Sequence, residues 1–115
     1  MKLPWILCAA MLLTVTEPAN AKGRSNCGLM QRLAQQHSND IARRESLDHS
    51  GFYSRAMQGA RAENVAMGST TRAGAMAQWR GSPGHAANMR LPGCKAVASA
   101  VSRSGRRYWT MEIGK

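Results

Sequence analysis

The sequence predicts an α+β domain, and three stretches of the chain predict this class. Residues 26–47 contain no Pro and, after Gly28, no Gly, and their apolar residues recur at intervals of three, four and eight, which indicates an amphipathic helix. Residues 94–101 and 107–113 are strand-like runs joined by the turn-rich connector 102–106, which predicts a C-terminal β-hairpin. No repeat or linker divides the chain, so we expect one domain.

The first half of the domain is predicted to be one helix and one extended segment. The helix covers 26–47 and places His49 at its C-terminal end, where Gly51 supplies a left-handed exit. Residues 52–61 have no clean period and contain Gly59, so we expect a loop there. Residues 63–66 are expected to form a short extended segment or turn.

The second half is predicted to hold two further helices before the hairpin. Ser69 is a suitable N-cap for a helix through Arg80, with Ala73, Met76 and Trp79 on one face. Ser82-Pro83 repeats this start signal, because Ser offers a side-chain acceptor and Pro at the first helical position has no amide hydrogen to leave unpaired. A short helix over 83–90 follows from it.

Residues 1–21 have the pattern of a secretory signal peptide, which leaves 22–115 as the exported domain. Lys2 gives the positive start, an apolar stretch follows over 3–15, and Ala19-Asn20-Ala21 is a small-x-small cleavage site. The apolar stretch is shorter than the roughly 20 residues that a membrane-spanning helix needs. We therefore expect a secreted or periplasmic protein without a membrane span.

Two cysteines remain after the predicted signal, since Cys8 lies inside its apolar stretch. An even number of cysteines in an exported chain favours one disulfide, here Cys27–Cys94, and two unpaired thiols are the alternative. A bridge that closes so long a loop would stabilise the domain by about 4 kcal/mol in the chain-entropy model.

The chain is strongly basic, with 16 Lys and Arg against 6 Asp and Glu and a net charge of +10. Outside the cytosol such a field favours anionic envelope polymers, lipid headgroups or acidic partners. Nucleic-acid binding would also require a reader motif, and we find none, so nucleic acid is not an expected partner. Because the basic residues are scattered, we favour a solvated cationic surface, and a dedicated anion site is the alternative.

Several motifs occur in one order along the chain: 37–42 (HSNDIA), His49, 62–66 (AENVA), 79–85 (WRGSPGH) and 108–113 (YWTMEI). Together they resemble the CAP superfamily of cysteine-rich secretory, antigen 5 and pathogenesis-related 1 proteins, in its short bacterial type. The resemblance covers about 37–114. It implies an α-β-α sandwich, here truncated at its N-terminus because few residues precede the first motif.

The resemblance also implies a functional cleft. Family members line a central cleft with two histidines and two acidic residues, and some bind a metal such as zinc there. Carried over by motif, the cleft candidates, catalytic if the protein is an enzyme, are His49, Glu63 and His85, and the metal-ligand candidates are His49 and His85. The second acid is missing, because Ser82 occupies the position three residues after Trp79.

Two roles for Glu63 and two functions follow from this cleft. Glu63 would be a third zinc ligand, or it would orient one imidazole through a hydrogen bond. The function that we expect is a binding module for an extracellular or envelope ligand such as a lipid or an anionic polymer. The alternative is a metal-dependent hydrolase that uses zinc-bound water at the same cleft. A further alternative is that His49, Glu63 and His85 have structural roles only.

His37 also fits the family pattern, but we expect it to be structural. If the first helix continued to His49, a twelve-residue offset would rotate His37 by about 120° around the helix axis. Both imidazoles could not then face the same cleft.

Overall fold

The computed structural model describes residues 26–115, so the predicted signal peptide and Cys8 lie outside the described residues. Four helices and three strands follow one another: α1 (Cys27–Arg44), α2 (Phe52–Met57), β1 (Ala62–Met67), α3 (Arg72–Arg80), α4 (Pro83–Met89), β2 (Lys95–Val101) and β3 (Arg107–Ile113). The α+β prediction is confirmed. Within this part of the chain, no helix has the length and apolar character that crossing a membrane requires.

The three strands form one antiparallel sheet in the order β1-β3-β2. The predicted C-terminal hairpin is the β2–β3 pair, with Ala98 opposite Thr110. On its other side β3 pairs with β1, and Glu63 lies opposite Glu112. Because β3 is central, six of its seven residues are buried.

Helices cover both faces of this sheet. Helix α1 lies on one face, where Met30 clusters with Ala96 and Ile41 clusters with Tyr108. Helices α3 and α4 lie on the other face, where Trp79 packs in the largest apolar cluster. This layering is the α-β-α sandwich that the resemblance implied.

Helix α1 is shorter than the predicted 26–47. It ends at Arg44 because Glu45 adopts a left-handed conformation (φ 52°), and the Ser46 amide then bonds to the Ile41 carbonyl at 3.0 Å. His49 therefore lies in the loop after the helix rather than at its end. The Arg44 guanidinium holds this loop by donating to the Asp48 carboxylate at 2.9 Å.

The predicted loop over 52–61 is wrong in its first half, where α2 forms. Gly51 precedes this helix with φ 79°, a value that glycine adopts without steric cost. The buried residue of α2 is Arg55, while Tyr53 and Met57 are exposed. An apolar period is absent from the sequence because the inward-facing residue is charged.

The two helices on the other face begin close to the predicted positions. Helix α3 is capped by Thr71 rather than Ser69, since the Thr71 hydroxyl accepts a hydrogen bond from the Gly74 amide at 3.1 Å. Its buried residues are Ala75 and Trp79, whereas the predicted Ala73 is exposed. Helix α4 follows Ser82 with Pro83 in its first turn, as predicted.

The Cys27–Cys94 disulfide is present and joins the start of α1 to the residue before β2. From there α1 runs along the outer edge of β2. Gln31 and Gln35, one helical turn apart, donate to the carbonyls of Val97 at 2.8 Å and Ser99 at 3.0 Å. Side chains of α1 thus occupy acceptors on the β2 edge.

Candidate functional site

A pair of carboxyl groups forms the base of the candidate site. The Trp79 indole donates to the outward carbonyl of Val65 at 3.1 Å, so Val65 and, two residues away, Glu63 belong to the non-hydrogen-bonded pairs of the β1–β3 ladder. Side chains lie closest together in such pairs. Glu63 and Glu112 therefore meet on the face toward α1, and their side chains are 1% and 0% exposed.

Arg55 supplies the cation that faces both carboxyl groups. Its Nε lies 2.6 Å from Glu63 Oε2 and its Nη2 lies 3.0 Å from Glu63 Oε1, which makes a bidentate pair. The same Nε is 3.2 Å from Glu112 Oε1. The remaining guanidinium nitrogen, Nη1, donates to the Ser50 carbonyl at 2.9 Å. All three nitrogens of Arg55 are therefore engaged.

Two histidines approach the same Glu63 oxygen. His49 Nδ1 lies 2.8 Å from Glu63 Oε1, and its side chain is 52% exposed. His37 is buried on α1, with its Nε2 3.5 Å from that oxygen and 2.8 Å from the Asp48 carbonyl. With Nδ1 of His49 fixed from behind, Nε2 is the ring nitrogen that remains available to a ligand.

The geometry adds to two expectations from the sequence. His37 and His49 approach one carboxylate, because α1 ends at Arg44 and the loop returns His49 to the site, but His37 is buried there. A second acid, Glu112 on β3, lies beside Glu63, but it is fully buried, and Ser82 still occupies the position three residues after Trp79. Arg55 was not identified as a site residue at all.

The two carboxyl groups have opposite pKa shifts. Burial and the neighbouring Glu63 carboxylate raise the pKa of Glu112 far above its ordinary value. Burial also acts to raise the pKa of Glu63, but the adjacent Glu112 carboxyl, Arg55 and His49 together lower it. Among the described residues neither Glu112 oxygen has a hydrogen bond, although Arg55 Nε lies 3.2 Å from Oε1. The two pKa shifts favour a proton on Glu112 and the negative charge on Glu63.

Two cavities border β1 and are here together called the β1 groove. One has a volume of about 380 Å³ and is lined by His49, Phe52, Ala62, Glu63 and Asn88. The other has about 340 Å³ and is lined by Leu47, Val65, Ala66, Met67, Gln78, Trp79, Ser82 and His85. The loop after α1 forms one wall, and α3 and α4 form the other.

The structure brings His49 and Glu63 together and places His85 in the neighbouring cavity. The Asn64 side chain fixes this part of α4: it donates to the His85 carbonyl at 3.1 Å and accepts from Asn88 at 2.9 Å. His49 and His85 thus line successive parts of the same groove. Glu63 contacts the first imidazole only.

The donor atoms of the site can be compared with those that a zinc ion requires. Both Glu63 oxygens are bonded to Arg55, and the Nδ1 nitrogen of His49 faces Glu63 rather than the groove. Among residues 26–115, no three His, Cys, Asp or Glu side chains are grouped so that they could hold a metal ion. The donor set as it stands does not fit zinc, and we derive no reaction step through a metal.

Comparison with known proteins identifies the family. The model of the cysteine-rich secretory protein (CAP) family matches residues 25–113. No curated protein and no solved structure showed significant similarity to the chain. The match includes every strand and helix described above, together with the carboxyl pair and the β1 groove. The chain therefore belongs to the cysteine-rich secretory protein (CAP) family.

Proposed function

We propose that this CAP domain is a binding module that acts outside the cytoplasm and holds an anionic polymer in the β1 groove. The observation that carries the proposal is the state of the acidic side chains. Every acidic side chain among residues 26–115 has a hydrogen-bonding partner or is buried as a neutral group. Apart from the arginines that face these acids, the cations of the described residues form no ion pair with a carboxylate.

The individual contacts support this statement. Asp40 and Asp48 pair with arginines of α1 at 2.6 to 2.9 Å. Glu45 accepts from the Ser104 amide at 3.2 Å, and Glu63 and Glu112 face Arg55 in the interior. The described residues that form no ion pair with a carboxylate are Arg32, Arg61, Arg72, Arg80, Arg90, Lys95, Arg103, Arg106, Arg107 and Lys115.

Most of these cations are arginines, and their positions suit a ligand that lies along β1. A guanidinium binds phosphate, sulfate and carboxylate groups with two parallel hydrogen bonds. Arg106 reaches one end of the groove, with its Nη1 3.8 Å from the Met67 sulfur. Arg61 is exposed and directly precedes β1 at the other end. Between them the exposed Nε2 of His49 offers a further hydrogen bond.

The Cys27–Cys94 bridge supports a site of action outside the cytoplasm, because such bonds persist in oxidising compartments. The predicted signal peptide agrees with this location. Detection of the processed chain in the periplasm or medium of expressing cells tests this location directly.

The test of the proposed function is a salt titration of binding to fluorescent inorganic polyphosphate, followed by anisotropy. Arg106→Gln should lower the slope of log affinity against log salt by about 1, since one phosphate contact is lost. The matched control is Arg32→Gln, which removes the same charge from α1 and should leave that slope unchanged. If both variants lowered this slope equally, the interaction would depend only on the overall charge of the domain.

His49 gives the second arm of this test. His49→Gln should weaken polyphosphate binding about tenfold, the effect of losing one hydrogen bond to a charged group. Vesicles of anionic phospholipid, tested in parallel, separate a polymer from a membrane as the ligand. Binding to the vesicles without binding to polyphosphate would assign the site to a lipid surface instead.

A further inference from the structure

The buried cluster beneath His49 has the composition of a cation site. Two carboxyl groups, Glu63 and Glu112, and two imidazoles converge where the Arg55 guanidinium lies. Carboxylate oxygens and imidazole nitrogens are the usual ligands of zinc when no thiolate is available. The centre of this cluster is occupied by the side chain of Arg55, which belongs to α2.

Arg55 binds the carboxyl groups in a way that leaves no place for a metal. Its Nε and Nη2 take both oxygens of Glu63, at 2.6 and 3.0 Å, and Nε also faces Glu112 at 3.2 Å. A guanidinium does not lose its proton in proteins, so this cation cannot become neutral and withdraw. Its other contacts, to the carbonyls of Ser50 and His49, tie it to the loop that carries the imidazole.

We propose that the Arg55 side chain is the resident cation of this cluster, and that the cluster binds no divalent metal while Arg55 is in place. Arg55 is then a positioning residue: it holds Glu63 ionised and oriented, and Glu63 holds the His49 ring. The histidine is fixed as a metal ligand would be fixed, but its role in the groove is to form hydrogen bonds.

If Arg55 is the resident cation, its removal should leave a metal site in the cluster. Without the guanidinium, Glu63, Glu112 and Nδ1 of His49 would border the vacated space as three protein ligands, which is the number that an open zinc site uses. His37 would stay engaged with the Asp48 carbonyl at 2.8 Å. Removal of one cation should therefore create an affinity for another.

Two expectations are tested by calorimetric titration of the purified, disulfide-bonded protein with zinc. The first is that Arg55 excludes a metal, and the second is that removal of Arg55 creates a metal site. The unchanged protein should give no site-specific binding, whereas Arg55→Ala should bind one zinc ion. Zinc at about a hundredfold excess over its Kd should then raise the Tm of Arg55→Ala by roughly 10 to 20 °C. Arg55→Lys is the matched control, because it keeps a cation in the cluster and should bind no zinc.

A second substitution locates any zinc that binds. Adding Glu63→Gln to Arg55→Ala should abolish the new site. Stoichiometric zinc binding by the unchanged protein that Glu63→Gln removes would overturn the proposal, and so would a failure of Arg55→Ala to bind zinc.

The variant can also lose its fold when Glu63 has no counter-charge. In that case it is refolded with zinc or with magnesium, and recovery with zinc alone supports the proposal while recovery with neither overturns it. The readout is metal binding, so its outcome is separate from that of the polyphosphate experiments.

Discussion

The two faces of the sheet are built from the same three strands but bury different chemistry. On the face toward α3 and α4, here called the apolar face, Val97, Trp109, Met111 and Ile113 pack with Trp79. On the face toward α1 and α2, here called the polar face, Glu63, Thr110 and Glu112 are buried in the middle of the sheet. Apolar contacts with α1 lie toward the two ends of that helix.

The difference separates stability from function. Burial of an apolar side chain stabilises a fold by about 1.5 to 3 kcal/mol, and the apolar face consists mainly of such contacts, with Asn64 as a buried polar side chain among them. A buried ion pair contributes little net stability, because desolvation of both charges offsets their attraction. The polar face is therefore better explained by what it orients, the exposed ring of His49, than by what it stabilises.

The largest expected effect is on the apolar face. Trp79→Ala removes the centre of the apolar cluster and the hydrogen bond to the Val65 carbonyl, and should lower the free energy of unfolding by about 4 to 5 kcal/mol. Urea unfolding followed by fluorescence measures it. Tyr53→Ala is the control, since that ring is 79% exposed and its loss should change stability by less than about 0.5 kcal/mol. Similar losses in both variants would contradict the assignment of the core.

The apolar face is also the part of the fold that the sequence predicted well. The strand-like run over 107–113 and the Ser-Pro signal at Ser82 predicted β3 and α4 from local sequence, although the Ser82 side chain forms no capping hydrogen bond. The predicted end of α1 and the predicted loop in place of α2 were wrong for local reasons of a different kind. Glu45 adopts a left-handed conformation without being a glycine, and α2 turns a charged residue inward, so neither shows an apolar pattern.

The next effect is on the polar face and should be about 3 to 4 kcal/mol. Glu63→Gln combined with Glu112→Gln removes both carboxyl groups that can neutralise Arg55 and leaves a buried charge without a partner. Glu63→Gln alone should lose less, because Glu112 can then ionise beside Arg55. Adding Arg55→Met to the double variant should recover much of the loss. A double variant as stable as the unchanged protein would mean that Arg55 is not held by these carboxyls.

The candidate site was predicted only in part, and the missing residues show why. The motifs identified His49 and Glu63, but Arg55 and Glu112 join the site through the pairing of β1 with β3 and the packing of α2. Pairing of strands distant in the sequence is not encoded by local spacing. One signal was present for Glu112: a carboxyl between Met111 and Ile113 in a predicted strand with apolar neighbours is a candidate for a buried, partnered acid.

A smaller effect of about 2 kcal/mol should depend on pH. Burial raises the pKa of Glu112, so the native state retains a proton that the unfolded chain releases above its ordinary pKa of 4.5. Stability of the unchanged protein therefore falls as pH rises through this window, by up to about 1.4 kcal/mol per pH unit. Glu112→Gln carries no such proton. Its stability relative to the unchanged protein should rise by about 2 kcal/mol or more between pH 5 and pH 8.

Urea unfolding at both pH values gives this difference directly. The lowered pKa of Glu63 acts in the opposite direction and at lower pH, since its stabilisation is lost as pH falls through the folded-state value. A constant difference between pH 5 and pH 8 would show that Glu112 is ionised in the native protein.

The smallest expected effect concerns an uncharged pair of side chains on the polar face, Ser38 and Thr110. Ser38 on α1 donates to the Thr110 hydroxyl at 2.9 Å, and both side chains are fully buried. Ser38→Ala leaves Thr110 without this partner and should lower stability by about 1 kcal/mol, whereas Ser38→Ala with Thr110→Val replaces both partners and should be nearly neutral. Urea unfolding of the two variants measures the difference. If the double variant loses more than the single one, this hydroxyl pair stabilises the fold, and the division of roles between the two faces does not extend beyond the charged cluster.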